Sequence, residues 1–198
     1  MKRIILNSPQ LLKLKRRRRR VIINKILLSL LAVAVIFAGL AYISRLPSLN
    51  ISEVKIIGDK ATDAELIKET VLKEIAGNYL WFFPKTNFII YPKNKIETEL
   101  KNKFKNIKDI SFNGKNIETL EIFISERIAL YTWCEGEKCY FMDDTGFIFA
   151  EAPYFSGEVY FKFFGPALLG TYFAKENFKQ LIYFKDALMA MGLKPVSL

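Results

Sequence analysis

Histidine is absent from the 198 residues, which removes the commonest general base and the commonest metal ligand. Cysteine is scarce: the two present are Cys134 and Cys139. Without a CxxC pair or a histidine, a zinc site built on them would lack two of its ligands. Acidic side chains are missing before Glu53. The triplet Asp144-Thr145-Gly146 has the form used by aspartic proteases, but that chemistry needs two carboxylates sharing a proton. No second copy of the triplet exists, and a glycine between alternating segments marks a hairpin turn. These absences argue against a hydrolase. They lead us to expect no enzyme, no catalytic residue, no cofactor, no metal and no small-molecule substrate.

The net charge of +10 is unevenly placed. Lys2, Arg3, Lys13, Lys15 and the run Arg16 to Arg20 crowd the first segment, and Lys25 and Arg45 flank an apolar stretch. From Leu46 onward, 19 basic residues face 20 acidic ones, a net of −1. The basic character therefore belongs to the N-terminal arm, whereas a nucleic-acid-binding domain carries its charge on the folded face. No nucleic-acid partner is expected. Hydrophobic residues make up 51% and aromatics 14%, enough for a packed core and against wholesale disorder.

Ile26 to Ile43 reads ILLSLLAVAVIFAGLAYI without a charge. Its 18 residues span about 27 Å as a helix, close to the hydrocarbon thickness of a bilayer. Tyr42 sits where an interfacial aromatic belongs. The alternative is a signal peptide cleaved near Ala38 to Ala41. The stretch exceeds the usual h-region and the basic arm is long, both of which favour an uncleaved anchor. Lys15 to Arg20 abut one flank, and only Arg45 stands on the other before Glu53. Positive residues resist translocation, so the expected topology is single-pass type II in the cell membrane. Residues 1–20 form a cytoplasmic tail resting on anionic lipid, 21–45 the span, and the remainder lies outside.

The outer part divides at residue 128. Leu46 to Asn50 reads as a short linker punctuated by Pro47. Ser52 to Ile57 alternates as a strand and stops at Gly58-Asp59. Thr62 to Glu65 reads as a capping box opening a helix with Ala64, Ile67, Val71 and Ile75 on one face. Tyr79 to Tyr91 is an aromatic connection. Pro92 suits the first turn of a second helix, striped by Ile96, Leu100 and Phe104. Ile110 and Phe112 alternate in a strand, Asn113-Gly114 predicts the hairpin turn, and Leu120, Ile122 and Ile124 alternate in the next strand. The order β-α-α-β-β over 50–128 predicts a two-layer domain. The edges of so small a sheet can accept a partner's strand.

A second, mainly β unit over 129–198 is expected. Ala129 to Cys134 and Cys139 to Met142 read as strands around Glu135 to Lys138. Asp143 to Gly146 turns into Phe147 to Ala150, and Val159 to Phe164 is a further strand. Lys175 to Met191 reads as a helix with Phe178, Leu181, Ile182, Leu188 and Met191 on its apolar side and Gly192 as its cap. The abrupt end after this helix suggests that a C-terminal part is missing. Cys134 and Cys139 face each other across a short loop, in a compartment where disulfides form; a disulfide is preferred over two free thiols. Trp81, Phe82 and Phe83 are read as core packing or contact with lipid rather than a partner groove. The lysines of the second helix, alternating with Glu97 and Glu99, are read as a solvated face.

The order of a basic arm, a single span, a strand-helix-helix-strand-strand domain, Ser125 to Ala129 (SERIA) and Tyr140 to Phe149 (YFMDDTGFIF) resembles the FtsQ/DivIB family of bacterial cell-division proteins. The matching motif positions are Glu126, Arg127 and Ala129, then Asp143, Gly146 and Phe149. The resemblance implies an α+β fold whose first outer domain is a POTRA docking module. It also implies a non-enzymatic scaffold at the division septum that recruits partners of the FtsB/DivIC and FtsL type and helps regulate septal peptidoglycan synthesis. Members of that family continue for several strands past the helix at Lys175 to Met191, so their partner-binding residues in that continuation are not carried over. A docking protein of outer-membrane assembly or secretion is the alternative, disfavoured by the single domain copy and the anchor.

Overall fold

The computed structural model describes residues 9–58, 62–155, 157, 159–166, 168–195 and 197. The chain is α+β: one long apolar N-terminal helix followed by several β-sheets. Helix α1 (Pro9–Ser44, 36 residues) is about 54 Å long at 1.5 Å per residue. It carries the run Arg16 to Arg20 and the apolar stretch on one rod, so the division predicted at residue 21 is chemical rather than conformational; Lys2 and Arg3 of the arm lie outside the described residues. Proline is well tolerated at the first helical position, and Leu, Lys and Arg propagate a helix readily. Along the apolar part Ala41 is buried, while Leu28, Leu30 and Val35 are each more than 60% exposed. Among the described residues this is the one helix long and apolar enough to cross a membrane. Among the described residues most of this apolar surface is uncovered.

The first domain contains β1 (Glu53–Ile57), α2 (Ala64–Ile75), a small hairpin of β2 (Asn78–Tyr79) and β3 (Phe83–Pro84), α3 (Lys93–Lys103), β4 (Ile107–Asn116) and β5 (Thr119–Glu126). The larger sheet has the order β1-β5-β4, with β1 parallel and β4 antiparallel to β5. Leu120, Ile122 and Ile124 alternate along the central strand and meet Ile67, Val71 and Ile75 of α2 and Ile96 and Leu100 of α3 in one core. Two helices thus cover one face of the sheet, as the apolar stripes require. The lysines of α3 face outward but are not idle: Lys95 pairs with Glu74 of α2 at 2.9 Å, and Lys101 with Glu97 at 2.8 Å.

Two local expectations are corrected. The N-cap of α2 is Asp63, whose carboxylate accepts from the Glu65 amide at 2.9 Å; a negative cap at a helix N-terminus also suits the dipole. Thr62, predicted to cap, bonds to Glu126 instead. Asn113 and Gly114 do not turn: they pair with Glu121 and Leu120 inside the ladder, and the turn falls at Ile117 and Glu118. Gly114 serves close packing, since a Cβ there would lie 2.2 Å from Cζ of Phe88. The predicted linker after the span is ordered, with a 3-10 turn at Pro47–Leu49.

The second domain is a four-stranded sheet in the order β8-β7-β6-β9, built from β6 (Tyr131–Glu135), β7 (Lys138–Met142), β8 (Ile148–Ala152) and β9 (Phe161–Phe164). Helix α4 (Phe178–Ala190) packs on the sheet through its first turns: Phe178 joins Trp133, Met142, Ile148 and Phe163 in the core, and Ile182 lies against it. A disulfide links Cys134 to Cys139, which are opposite each other on β6 and β7 with Cα atoms 4.1 Å apart. The helix starts later than the stripe predicts because the Asn177 and Phe178 amides both bond back to the Ala174 carbonyl, a separate turn. Met191 lies beyond the last helical turn and is 69% exposed, so it is not part of the apolar face.

Candidate functional site

The motif positions singled out in the sequence lie at or beside the seam between the two domains, where Arg127 and Asp143 meet. Glu126 ends β5, and its Oε1 accepts from the amide and hydroxyl of Thr62, both at 3.0 Å. Asn106 Nδ2 donates to the same hydroxyl. The next residue, Arg127, crosses the seam. Its amide donates to the Asn106 carbonyl at 2.7 Å and its Nε to the Lys105 carbonyl at 3.2 Å. Its Nη1 is ion-paired with Asp143 in the β7–β8 turn. The guanidinium also lies over the Phe147 ring, 4.0 Å from its centroid, a favourable cation–π placement.

Asp143 is 1% exposed, and its carboxylate is fully engaged. Oδ1 accepts from the Thr145 amide at 2.8 Å, the Thr145 hydroxyl at 2.6 Å and the Phe147 amide at 3.0 Å, while Oδ2 faces Arg127. Burial alone disfavours the charge, but the bonds from Thr145 and Phe147 and the pairing with Arg127 outweigh it and hold the carboxyl below its ordinary range. Gly146 closes the turn at φ +81°, where a Cβ would sit 2.9 Å from the Phe173 carbonyl oxygen and from the Phe178 ring. Asp144 faces out and binds Lys108 of β4 at 2.9 and 3.0 Å, a second ion pair across the same seam. The Asp144-Thr145-Gly146 triplet is therefore a turn whose aspartate is spoken for by a lysine.

Ala129 and Phe149 line a groove along the seam with Phe104, Lys105, Phe141 and Leu169. Phe149 stacks on Phe141 at 6.2 Å between centroids. Among the motif positions Arg127 and Asp143 bond directly across the seam, while Glu126 is bonded within the first domain and Gly146 is packed within the second. Each of the two larger sheets ends in two outer strands. In the first sheet β1 and β4 are the outer strands. In the second, β8 is met at its start by Tyr172 through a bridge to Phe147, and β9 by Ser197 through a parallel bridge to Lys162. Among the described residues no group of three or more His, Cys, Asp or Glu side chains could hold a metal ion.

A second junction, which the sequence did not reveal, ties the first domain to α1. Asn50 Nδ2 donates to the carbonyls of Ser44 and Leu46 at 3.0 and 2.7 Å, and Asn87 Nδ2 to Ser44 at 3.1 Å. Thr86 donates to Asn50 Oδ1 at 2.8 Å. Asn50 and Asn87 thereby satisfy the Ser44 carbonyl, one of those that the end of a helix leaves unpaired. Trp81, Phe82 and Phe83 stand at this junction and not in the core: Trp81 is 87% and Phe82 49% exposed. Asn50 precedes the first strand and Asn87 lies within the aromatic connection, and their separation of 37 positions carries no periodicity.

No protein-family model matches the chain, and no characterised protein matches its sequence.

Proposed function

We propose that this chain is a bitopic docking protein of the FtsQ/DivIB kind, with the basic arm in the cytoplasm and both folded domains on the far side of the cell membrane. In this reading residues 50–128 act as a POTRA module and the protein is a scaffold of the division septum. It recruits proteins of the FtsB/DivIC and FtsL type and thereby helps regulate septal peptidoglycan synthesis, with no chemistry of its own. One observation carries the reading: a domain in which α2 and α3 cover the β1-β5-β4 sheet, with the small β2–β3 hairpin between the helices, stands directly on the candidate span and is joined by the Arg127–Asp143 pair to a second sheet. The span confines the domains to a plane and raises their effective concentration for partners held there. Open strands then supply main-chain hydrogen bonds to an incoming segment.

The experiment is to express the full chain, tagged at its N-terminus with a fluorescent protein, in dividing cells of its source and to isolate it after cross-linking in the cell. A band at the division site, with FtsB/DivIC- and FtsL-type proteins among the captured species, is the expected result. A uniform distribution with capture of outer-membrane assembly components would replace this reading with the other docking class.

A further inference from the structure

We infer that the tip of the small β2–β3 hairpin is a second membrane contact: Leu80, Trp81 and Phe82 enter the lipid interface beside α1, on the side of the bilayer that carries the folded domains. The inference rests on α1 being a span and is independent of the division assignment.

The hairpin is fastened to the helix at a depth the structure defines. Phe37 belongs to the uncharged stretch Ile26 to Ile43 and precedes its end by six residues, about 9 Å along the axis. Its ring makes edge-to-face contacts with Phe82 at 5.7 Å and Phe83 at 5.3 Å between centroids. Side chains on a helix lean toward its N-terminus, which carries these rings further below the end of the apolar stretch. Arg45, at the helix end, donates from Nε to the Phe82 carbonyl at 3.1 Å and from Nη2 to the Trp81 carbonyl at 3.3 Å. The backbone of the tip is therefore held at the end of the span, with the Phe82 ring against Phe37 inside the apolar stretch.

The tip itself is apolar and uncovered. Leu80 is 76% and Trp81 87% exposed. Both adopt left-handed backbone, φ 47° and 67°, a conformation disfavoured for side chains of this size. Lys85 lies close by, its ammonium over the Tyr79 ring at 5.7 Å. A tryptophan and two flanking apolar residues at the end of a span, with a cation close behind, are the chemistry of an interfacial anchor. Continuity with the apolar surface of α1 favours lipid as the occupant over a protein. Together with the Asn50 and Asn87 bonds, this contact would set the tilt of the first domain on the bilayer.

The test uses the full chain in vesicles of phosphatidylcholine and phosphatidylglycerol, with or without bromine on the acyl chains. The Trp81 signal is read as the difference between the unaltered chain and Trp81→Phe, because the other tryptophan, Trp133, is buried in the second domain. Leu30→Trp in the Trp81→Phe background reports on the span. Brominated lipid is expected to lower Trp81 emission about twofold, as for an indole some 5–10 Å into the headgroup and acyl boundary, while aqueous iodide leaves it unchanged. If Leu30→Trp is quenched by bromine but Trp81 answers only to iodide, the tip stands in water and the inference is overturned, leaving the tip as a protein-docking surface. If Leu30→Trp also escapes bromine, α1 does not span and the inference falls with it. Septal localisation, measured separately, is untouched by the first result, whereas the second also removes the anchor on which the docking proposal stands.

Discussion

Removing one partner of the Arg127–Asp143 pair should unfold the seam between the domains, and its cost can be worked from the geometry. The two side chains are 10% and 1% exposed, so neither charge can recover its hydration if the other is cut away. Breaking such a pair costs about 3–5 kcal/mol. Asp143→Ala belongs at the upper end, because it also strips the acceptor from the Thr145 amide, the Thr145 hydroxyl and the Phe147 amide. Arg127→Ala belongs at the lower end, since the turn bonds persist. Asp143→Asn keeps the shape and one acceptor and should cost about 2 kcal/mol, the scale of a charge-assisted hydrogen bond. With m-values of about 1–3 kcal/mol per molar urea, a loss of about 3 kcal/mol moves the midpoint by about 1–3 M. Urea is the right denaturant, because guanidinium chloride would screen the pair. The assay is urea unfolding of the full chain in lipid nanodiscs, followed by circular dichroism and by the emission of buried Trp133. The double variant should be less than additive, with a coupling of about 1.5–3 kcal/mol. Single variants within about 0.5 kcal/mol of the unaltered protein, or a coupling near zero, would refute the reasoning.

The same carboxylate predicts a pH dependence. The folded state holds Asp143 below its ordinary value, so the stabilisation is fully present above the unfolded value of about 3.9 and is lost as the pH falls through the lower folded one. The gap in stability between the unaltered chain and Asp143→Asn should be constant from about pH 6 to about 5 and narrow below about 4; a gap that widens on acidification contradicts the assignment. Gly58→Ala and Gly77→Ala both place a side chain at positive φ, +94° and +86°, but only at Gly58 does the new Cβ meet backbone, 2.4 Å from the Ile124 carbonyl oxygen. Gly77→Ala should cost about 1–2 kcal/mol, the left-handed penalty alone, and Gly58→Ala clearly more; equal losses would show that β1 and β5 yield without strain. Reducing the Cys134–Cys139 disulfide should lower stability by only about 2 kcal/mol, as the closed loop is short, and leave the β-sheet circular dichroism intact.

Periodicity carried most of the fold into view. Ile67, Val71 and Ile75, and again Leu120, Ile122 and Ile124, alternate so regularly that helix face and strand face follow from spacing alone, and all are buried. The apolar stretch of α1 is equally plain, because nothing charged interrupts Ile26 to Ile43. What stayed hidden was local chemistry with two solutions. Asn113-Gly114 is a strong turn signal, yet packing by Phe88 gave Gly114 a different use. Thr62 and Asp63 can both cap a helix; the demand of Glu126 for donors took Thr62 and left Asp63 for the cap. The seam is visible in the sequence only as motif letters. Arg127 and Asp143 lie 16 positions apart, and no periodicity announces that a strand end and a later turn will share a charge. The hairpin tip escapes spacing for a related reason. Aromatic clusters usually mean core, and only the contacts with Phe37 and Arg45 reveal a different environment.

The central claim is that a basic arm and the folded domains are separated by a bilayer, and protease added to spheroplasts tests it most directly. The account predicts that the chain beyond about residue 50 is digested, while a fragment containing residues 1–20 survives until the membrane is dissolved. Loss of the basic arm with the domains left whole would reverse the orientation and remove the basis for docking outside the cell membrane.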